Sequence, residues 1–426
     1  MNILLFNQTW FADELRQMGH TVLTCGTNAH LQHRTRSGLL HINQILQSLP
    51  TGFKPDRLVW LDNSSPCLIV GLEDCPIPKV LYSVDSQHHA VRHSFLASAF
   101  DHVLTAQKDY IPQLQTSLSP VSWMPLWAPQ YVEKSADKKF GAAFVGTLNP
   151  ALNPNRVAFF DALGKLIPMH ITTGYYPEIF PHAEIVVNQT VKGDLNFRVF
   201  EAMMCGALLL TEKTENGLLE LFQDGHHLVT YTARDAHDAA EKVRAIMESK
   251  PRMRAIAEAG RDEVLAKHTM QHRAVQLEKL LVSLESLPPS PQRYYNAMIS
   301  LSLDSQLFES LHLAACGQFA HMSLDAAERA IELGTPPTDG QAALLVRGCI
   351  HHDRILGDNR GARIIAELAE MFPDRHIFSL LKVRTLLNSG KLAEAKKLAL
   401  QISSASPEQT FYEAERAAHL ILVRSE

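Results

Sequence analysis

The stretch DLNFRVFEAMMCG at residues 194–206 contains one arginine and one glutamate in a run that is otherwise almost entirely apolar. Read with a helical period, its apolar side chains occupy two sides of a helix, so little of that helix can face water. Arg198 and Glu201 are therefore expected to be largely buried, and buried charges need partners. Because the apolar segment EIVVNQ precedes the stretch at residues 184–189, the sequence predicts a strand, a loop and a helix in succession.

The alternation of short apolar segments with helical stretches continues on both sides of this unit. In the first part of the chain, the predicted strands are NILLFN, TVLTCG, RLVWLDN, KVLYSVD and HVLTA. After the polar segment YVEKSADKKFG, the predicted strands are AAFVGT, HITTG, AEIVVNQ, ALLLTE and HLVTYT. This order indicates parallel sheets that are covered by helices. We therefore predict an α/β fold with two Rossmann-like domains, at residues 1–132 and 133–287, and a cleft between them.

The remaining part of the chain is predicted to be helical. The proline-rich segment LPPSPQ at residues 287–292 is typical of a domain linker, and an all-α domain is predicted at residues 293–426. The glycine, alanine and proline of a tetratricopeptide unit are present at Gly390, Ala395 and Pro407. Pro373 precedes Pro407 by about 34 residues, which is the period of that repeat. An irregular helical bundle that packs on the core is the alternative.

The composition is that of a globular protein with substantial cores. The 426 residues are 46% hydrophobic and 20% charged, which is enough for two or three domains. The formal net charge is -5, and side chains of both signs are interspersed without a basic stripe. Nucleic acid and anionic membrane are therefore disfavoured as main partners, and small molecules or proteins are favoured.

The sequence also indicates where the protein is expected to work. The first residues, MNILLFNQTW, lack a basic leader and a long apolar run, so they predict an opening strand rather than a signal peptide. No later segment offers the roughly 18 consecutive apolar residues of a membrane span, so no integral membrane segment is expected. The six cysteines include no CxxC pair, a pattern that suits reduced thiols. We therefore expect a cytoplasmic protein.

The loop before the central helix has the features of an anion site. Ligands of open α/β sheets bind at the carboxyl ends of strands, where loops lead into helix N-termini. Lys192, Asn196 and Arg198 lie in this loop and first turn, where the helix dipole also favours an anion such as phosphate. Glu201 follows one turn later, and its carboxylate can accept two hydrogen bonds from the vicinal hydroxyls of a ribose. The alternative is a mutual pair of Arg198 and Glu201 that only closes the site.

A second candidate for donor binding is the strand end AAFVGTLNPALNPNR at residues 142–156. Gly146 and Thr147 directly follow the apolar strand, and Asn149 and Arg156 lead into the next helix. Two roles are open for Arg156. It either contacts a ligand directly or is a surface cation at the start of a helix.

One strand of the first domain ends in acidic and histidine side chains, within VLYSVDSQHHAVRH at residues 80–93. Asp85, His88 and His89 are candidate catalytic residues, because transfer to a hydroxyl requires removal of its proton. Asp85 would act as the base or would orient one of the histidines. His89 and His93 have the spacing of metal ligands, but no HExxH glutamate accompanies them, so no metal is expected. Histidines that cap a helix or meet the opposite domain are the alternative.

Several of these segments together resemble a known family. The segment LNFRVFEAMMCGALLLTEKTENGLLELFQDGHHLVTY, with the later GRDEVLAKHTMQHR, resembles the C-terminal donor domain of the GT-B glycosyltransferases. It is most similar to the branch of CgeB-like spore-maturation proteins and to related group 1 bacterial glycosyltransferases. The segments YSVDSQHHAVRHSFLASAFDHVLTAQKDY and AAFVGTLNP also resemble that branch, so the resemblance covers pieces of residues 77–280.

This resemblance implies a GT-B arrangement, in which two Rossmann-like domains face each other and the second one holds most of a nucleotide sugar. Glu201 would then hold the ribose. Asn188, Asn196 and Arg198 would lie close to the diphosphate or the sugar. Enzymes of this fold generally need no metal, because helix dipoles and basic groups stabilise the leaving diphosphate.

The resemblance also implies a phosphate-binding loop and shows one departure from the family. The loop residues Asn216, Gly217 and Leu218 would offer backbone N–H groups to phosphate oxygens, and a glycine with φ > 0 allows such a close approach. Many members of the family carry a second acidic residue eight positions before the ribose glutamate. In this chain that position is Gly193, and Asp194 follows it.

The predicted function is therefore transfer of a sugar from a nucleoside-diphosphate sugar to a hydroxyl or amide of an acceptor protein or glycan, with no further cofactor. The predicted helical repeats offer a groove for a polypeptide, which makes protein glycosylation a hypothesis by analogy. Two alternatives belong to other classes. One is a scaffold protein that binds a nucleotide sugar without turnover, and the other is a sugar-nucleotide epimerase or hydrolase of the same fold.

Overall fold

The computed structural model describes residues 1–115, 118–313, 315–373 and 376–402. The strands of the first domain are β1 (Asn2–Phe6), β2 (Thr21–Gly26), β3 (His33–Arg34), β4 (Leu40–His41), β5 (Arg57–Leu61), β6 (Ile69–Val70), β7 (Lys79–Ser83), β8 (His102–Thr105) and β9 (Val121–Trp123). Its helices are α1 (Ala12–Gln17), α2 (Ile42–Ser48), α3 (Ser86–Leu96) and α4 (Ile111–Leu114). Over the described residues, the main sheet is parallel with the order β3-β2-β1-β5-β7-β8-β9, and β4 pairs with β6.

The second domain contains another parallel sheet. Its strands are β10 (Phe140–Val145), β11 (His170–Thr172), β12 (Ala183–Asn188), β13 (Leu208–Glu212) and β14 (Val229–Tyr231). They follow the order β11-β10-β12-β13-β14. Its helices are α5 (Pro154–Leu166), α6 (Phe197–Met204), α7 (Leu218–Leu221), α8 (Ala236–Met247), α9 (Lys250–Lys267) and α10 (Met270–Ser283). Each of the ten predicted strands is present, so the predicted pair of Rossmann-like α/β units is confirmed.

The strands are continuous apolar runs because both faces of each sheet are covered. All five residues of β7 are buried, for example, as expected for a central parallel strand. The strand β9 was missed in the sequence. It has only three residues, and Pro120 and Pro125 flank it, so it is too short for a periodic pattern to emerge.

One hydrophobic core continues from the first domain into the second. It includes Leu5 and Tyr82 on one side and Val186 and Phe200 on the other. The fully buried Trp127 joins the two sides, so the aromatic cluster before the second domain is a packing element. The last helix of the second domain, α10, returns to the first domain and packs against α1.

The third region is helical throughout its described part. Its helices are α11 (Pro291–Ser310), α12 (Cys316–Glu332), α13 (Asp339–Leu356), α14 (Arg360–Met371), α15 (His376–Asn388) and α16 (Leu392–Ile402). Gly390 adopts φ 72 in the turn between α15 and α16, and Ala395 is buried, as expected for two packed helices that are joined by a tight turn. Pro407 lies outside the described residues, so the tetratricopeptide period that Pro373 and Pro407 suggest stays a prediction.

The helical region is fixed to the first domain by a buried arginine. Arg293 donates hydrogen bonds to the carbonyl oxygens of Ser98, at 2.7 Å, and Phe100, at 3.0 Å, and to Asp101 Oδ1, at 3.1 Å. Lys79 Nζ also contacts the Asp101 carboxylate, at 3.2 Å. The predicted linker at residues 287–292 therefore joins two regions that are packed together. No helix of the described ranges is both long enough and apolar enough to cross a membrane.

Candidate functional site

Arg198 is held at the carboxyl ends of two neighbouring strands. Its Nε and Nη2 donate hydrogen bonds to the carbonyl oxygen of Val145, at 3.1 and 2.9 Å, and its Nη1 donates to Asn188 Oδ1, at 2.8 Å. The guanidinium carbon lies 4.5 Å from the centroid of the Phe144 ring. This places a fixed positive charge at the edge of the sheet where ligands of such folds bind.

Glu201 lies one turn further along α6 and has different neighbours. Over the described residues, no hydrogen bond or ion pair joins Glu201 to Arg198, so the two do not form the self-contained pair that the sequence left open. Glu201 is half-buried near Tyr176, which follows β11. Burial raises the pKa of Glu201 to about 7, although the positive charge of Arg198 acts to lower that pKa.

Arg156 is a second arginine near Arg198, and it is buried. Its Nε and Nη2 donate to the side chain and backbone oxygens of Gln189, at 3.0 and 3.1 Å, and its guanidinium carbon lies 5.9 Å from the Phe144 ring centroid. Arg156 is only 9% exposed, so it is not the surface cation that was the alternative. Sequence reasoning alone could not place it, because its partners follow β12.

The two arginines make no ion pair at this edge among the described residues, although Asp194 lies close enough to act on the pKa of both. The hydrogen bonds of Arg156 and Arg198 go to neutral oxygens of Gln189, Val145 and Asn188. Burial lowers the pKa of both groups, that of Arg198 to about 10, and the charge of Arg156 adds to the effect on Arg198. Two like charges held together in this way favour a bound anion, and guanidinium groups suit the oxygens of a phosphate.

Glycine is required at position 146 because Arg198 lies against it. A Cβ atom there would lie 2.6 Å from Arg198 Nη2 and 2.8 Å from the Phe144 ring. The next predicted residues are less constrained. Thr147 is exposed, and Asn149 Oδ1 accepts a hydrogen bond from the N–H of Ala151, at 2.9 Å, in a local turn.

The loop before α6 has a strained backbone. Lys192 has φ 56 and Gly193 has φ 77, so an acidic residue at position 193 would be in an unfavourable conformation. This accounts for the glycine at the position where the resembling family often has an acid. The neighbouring Asp194 is 7% exposed, and its Oδ1 accepts a hydrogen bond from the N–H of Val191, at 2.6 Å. Burial raises the pKa of Asp194 to about 6.

Lys192 and Gly193 also line a cavity of about 600 Å³ between the two domains. The first domain contributes Asp109 and Tyr110 to its wall, and the second contributes Glu212. Lys192 itself is exposed. Its place beside the cavity leaves its ammonium group free to reach a ligand.

The loop at residues 216–218 forms a contact with the first domain. Asn216 Oδ1 accepts a hydrogen bond from the N–H of Asp109, at 3.0 Å. Gly217 has φ 80, and a Cβ atom there would lie 2.4 Å from the Trp123 ring, so glycine is needed at this contact. Leu218, the last residue of the loop, is buried. The phosphate-binding role that the resemblance implies for the loop stays a prediction.

Gln107 was not singled out in the sequence, yet it connects the two domains. Its Oε1 accepts hydrogen bonds from the N–H of Leu195, at 2.9 Å, and from Asn216 Nδ2. Its Nε2 donates to the carbonyl oxygen of Val84, at 3.3 Å. No motif marks a single glutamine in the segment TAQKD, because its role depends on how the two domains meet.

A smaller cavity of about 230 Å³ lies in the cleft. Asp85 lines it from the first domain, and Asp194 and Asn196 line it from the second. The Asp85 carboxylate accepts hydrogen bonds from Ser64 Oγ and from Gln87 Nε2. The structure therefore brings one predicted catalytic residue together with residues of the loop before α6.

The two candidate catalytic histidines lie on α3, where the charge of Asp85 still acts on the pKa of His89, and their catalytic role stays a prediction. His88 is exposed on α3, and neither His88 nor His89 lines the cleft cavity. The helix α3 instead packs against α11, where Arg92 lies 3.7 Å from Asp304. Burial lowers the pKa of His89. The position of these histidines after a strand end did not by itself show that they do not line the cleft cavity.

His89 and His93 have the spacing of metal ligands, although no metal site is predicted for them. His93 is buried, and its Nδ1 lies 2.8 Å from Ser83 Oγ. Burial lowers the pKa of His93 to about 4. Over the residues that the structure describes, no group of three or more histidine, cysteine or acidic side chains is placed to hold a metal ion.

Residues 143–279 match a family model described as glycosyl transferase-like. The matched range contains Arg156, Arg198 and Glu201, and it ends within α10. No curated protein matches the chain in sequence. The finer resemblance to the CgeB-like branch stays a prediction.

Solved structures identify the fold. The chain is similar to Anabaena HepE in complex with UDP and glucose, with a TM-score of 0.53, 15% identity, and coverage of 67% of this chain and 100% of that chain. It is also similar to Anabaena HepE in complex with UDP-glucose, with a TM-score of 0.52, 12% identity, and coverage of 66% and 99%. The chain therefore has two domains of the GT-B fold, followed by helices, as the sequence predicts.

Proposed function

We propose that the protein is a glycosyltransferase that uses a nucleoside-diphosphate sugar as donor. The observation that carries the proposal is the pair of the buried Arg156 and the half-buried Arg198. Both are bonded only to neutral oxygens within the described hydrogen bonds, and Arg198 lies one turn from Glu201. The diphosphate would lie at the two arginines, and the ribose would lie at Glu201. The family match over residues 143–279 supports a transferase, and the complexes of HepE with UDP and UDP-glucose support UDP as the nucleotide.

The transfer step follows from this placement. The acceptor oxygen would bond to the anomeric carbon while the bond from that carbon to the diphosphate breaks. The electron pair would leave with the diphosphate, where Arg156 and Arg198 stabilise the added charge. The Asp85 carboxylate faces the same cleft and would take the proton of the acceptor hydroxyl.

A polypeptide acceptor is the finer part of the proposal. The helical region is fixed to the first domain through Arg293, and the first domain also provides Asp85. A chain bound by the helices would therefore stay on the acceptor side of the cleft. Helix pairs that stack in sequence form grooves that suit such ligands.

The proposed function predicts that Glu201→Gln weakens binding of UDP-glucose and removes its pH dependence. The ionised carboxylate accepts hydrogen bonds from both ribose hydroxyls, and a pKa of about 7 means that it is mostly protonated below that pH. Wild-type affinity should therefore rise from pH 6 to pH 8. The variant should bind about tenfold more weakly at pH 8, with a flat profile. Isothermal titration calorimetry with UDP-glucose measures both effects, because its phosphates, unlike the terminal phosphate of UDP, do not titrate in this range.

The control for this variant is Glu258→Gln, since Glu258 is exposed on α9 and pairs with Lys134. It should bind UDP-glucose like the wild type. The turnover test offers a panel of nucleotide sugars with and without acceptors and follows free nucleoside diphosphate. Release that depends on an acceptor supports transfer. Equal release without acceptor would indicate a hydrolase, and binding without release would indicate a scaffold.

Replacement of Gly146 by alanine is expected to weaken UDP binding without changing any charge. The new methyl group would meet Arg198 Nη2 at 2.6 Å, so the guanidinium must leave its place at Val145. We expect about a tenfold rise in the Kd for UDP. Gly164→Ala on α5 is the matched control, because a Cβ atom there meets nothing within 4 Å. Equal affinities in both variants would show that the position of Arg198 does not matter for the nucleotide.

A further inference from the structure

The ligand-facing residues of the cleft divide into a positive and a negative half. Arg156 and Arg198 form the positive half at the ends of β10 and β12. The cavity of about 230 Å³ forms the negative half, with the carboxylates of Asp62, Asp85 and Asp194 on its wall. Asp194 lies at the border between the two halves, because the charges of both arginines act to lower the pKa of its carboxyl group.

The charged side chains on the described wall of the negative half are all acidic. Among the described residues that line the cavity, none is lysine, arginine or histidine. Asp62 is 2% exposed, and its carboxylate accepts hydrogen bonds from the N–H groups of Ser64, at 2.9 Å, Val84, at 3.1 Å, and Asp85, at 3.2 Å. A ligand in this cavity would therefore lie beside several acidic side chains, of which Asp62 is held in place by backbone N–H groups.

The rest of the cavity wall suits a hydroxylated ring. Asn63 and Asn196 contribute amides, and Trp10 contributes an aromatic surface. The Oδ1 atom of Asn196 is buried without a hydrogen-bond partner in the described structure, so a ligand hydroxyl could donate to it. The volume lies below the roughly 300–1,000 Å³ of pockets for drug-sized ligands, which suits a single sugar ring.

We propose that this cavity receives the transferred sugar of the donor and selects uncharged sugars against uronic acids. The inference rests on the proposed function, because the arginines must hold the diphosphate for the sugar to extend toward Asp85. Phosphate oxygens would then neutralise the arginines. A carboxylate on the sugar would then add to the negative charge of Asp62, Asp85 and Asp194, and no lysine, arginine or histidine lines the described cavity wall. Like charges placed together in this way disfavour binding strongly.

The test compares donor pairs that differ only in the charge of the sugar. The Kd values of UDP, UDP-glucose, UDP-glucuronate, UDP-galactose and UDP-galacturonate are measured by calorimetry at pH 8. We expect each uronate to bind at least about tenfold more weakly than its neutral partner. The use of two pairs separates the effect of charge from that of ring stereochemistry. If the uronates bind as tightly as the neutral sugars in both pairs, the inference is wrong.

The binding of UDP alone distinguishes a failure of this inference from a failure of the proposed function. If UDP itself does not bind, the donor site is wrong, whereas UDP binding with no charge discrimination contradicts only the charge inference. Asp194→Asn should reduce the discrimination between neutral sugars and uronates by at least threefold. Asp161→Asn on the exposed side of α5 is its control and should leave the ratio unchanged. Unchanged discrimination in Asp194→Asn would show that this carboxylate does not face the sugar.

Discussion

Replacement of Arg198 by methionine is expected to lower kcat/KM for the nucleotide sugar by about 100-fold to 1,000-fold. Under the proposed function, the guanidinium would stabilise the charge that develops on the leaving diphosphate, and loss of one such preorganised donor typically costs that much. Methionine keeps much of the side-chain volume over the Phe144 ring, where the guanidinium carbon lies 4.5 Å from the centroid. Steady-state release of nucleoside diphosphate measures the effect, and calorimetry with UDP gives the accompanying loss of affinity.

A matched control separates this effect from a general loss of an arginine. Arg244 lies on α8 and donates a hydrogen bond to the carbonyl oxygen of Leu166, at 2.8 Å, outside the candidate site. Arg244→Met should retain wild-type kinetics. Because Arg198→Met also leaves Val145 O and Asn188 Oδ1 without this donor, its folding is checked by circular dichroism. A folded variant with wild-type kcat/KM would remove Arg198 from the site.

Replacement of Arg293 by methionine is expected to have the largest effect on stability. Arg293 is 1% exposed and donates to Ser98 O, Phe100 O and Asp101 Oδ1. The substitution removes the arginine donor from the carbonyl oxygens of Ser98 and Leu287. Phe100 O and Asp101 Oδ1 each lose one of two donors, and Lys79 still contacts Asp101. Loss of one partner in such a buried network costs about 3–5 kcal/mol of the free energy of unfolding.

Urea unfolding of the whole chain, followed by circular dichroism and tryptophan fluorescence, measures this change. The control is Arg329→Met on α12, where the arginine is exposed and pairs with Glu332 at 2.9 Å. An exposed pair of this kind is worth about 0–1 kcal/mol. If both variants lose the same small amount, the buried cluster does not hold the helical region in place.

Sequence periodicity predicted the fold well because the pattern is local. Segments such as KVLYS, with an apolar centre, predict a buried strand from their own residues, without information on distant parts of the chain. Glycine and proline mark the ends of many elements. The same local information placed Arg198 and Glu201 on a buried helix. It could not show that Arg198 bonds to Val145, because that contact depends on the pairing of β10 with β12.

The expected position at the cleft agrees with the structure for Asp85 and differs for His88 and His89, while their catalytic roles stay predictions. Asp85 directly follows the strand β7 as the N-cap of α3, so the general rule for strand ends placed it at the cleft. His88 and His89 lie one turn later, where the direction of α3 decides their surroundings. That direction is set by the contact of α3 with α11, more than 190 residues away in sequence, as is the link from Arg293 to Ser98.

The attachment of the helical region to the first domain has a consequence for spacing along an acceptor. Because Arg293 is bonded to Ser98 and Phe100, the helices and Asp85 belong to the same packed unit. A polymer held by the helices would therefore present its next hydroxyl to the cleft at a constant distance from the point where it is held. The length of the helical region would then set the interval between modified positions along the acceptor.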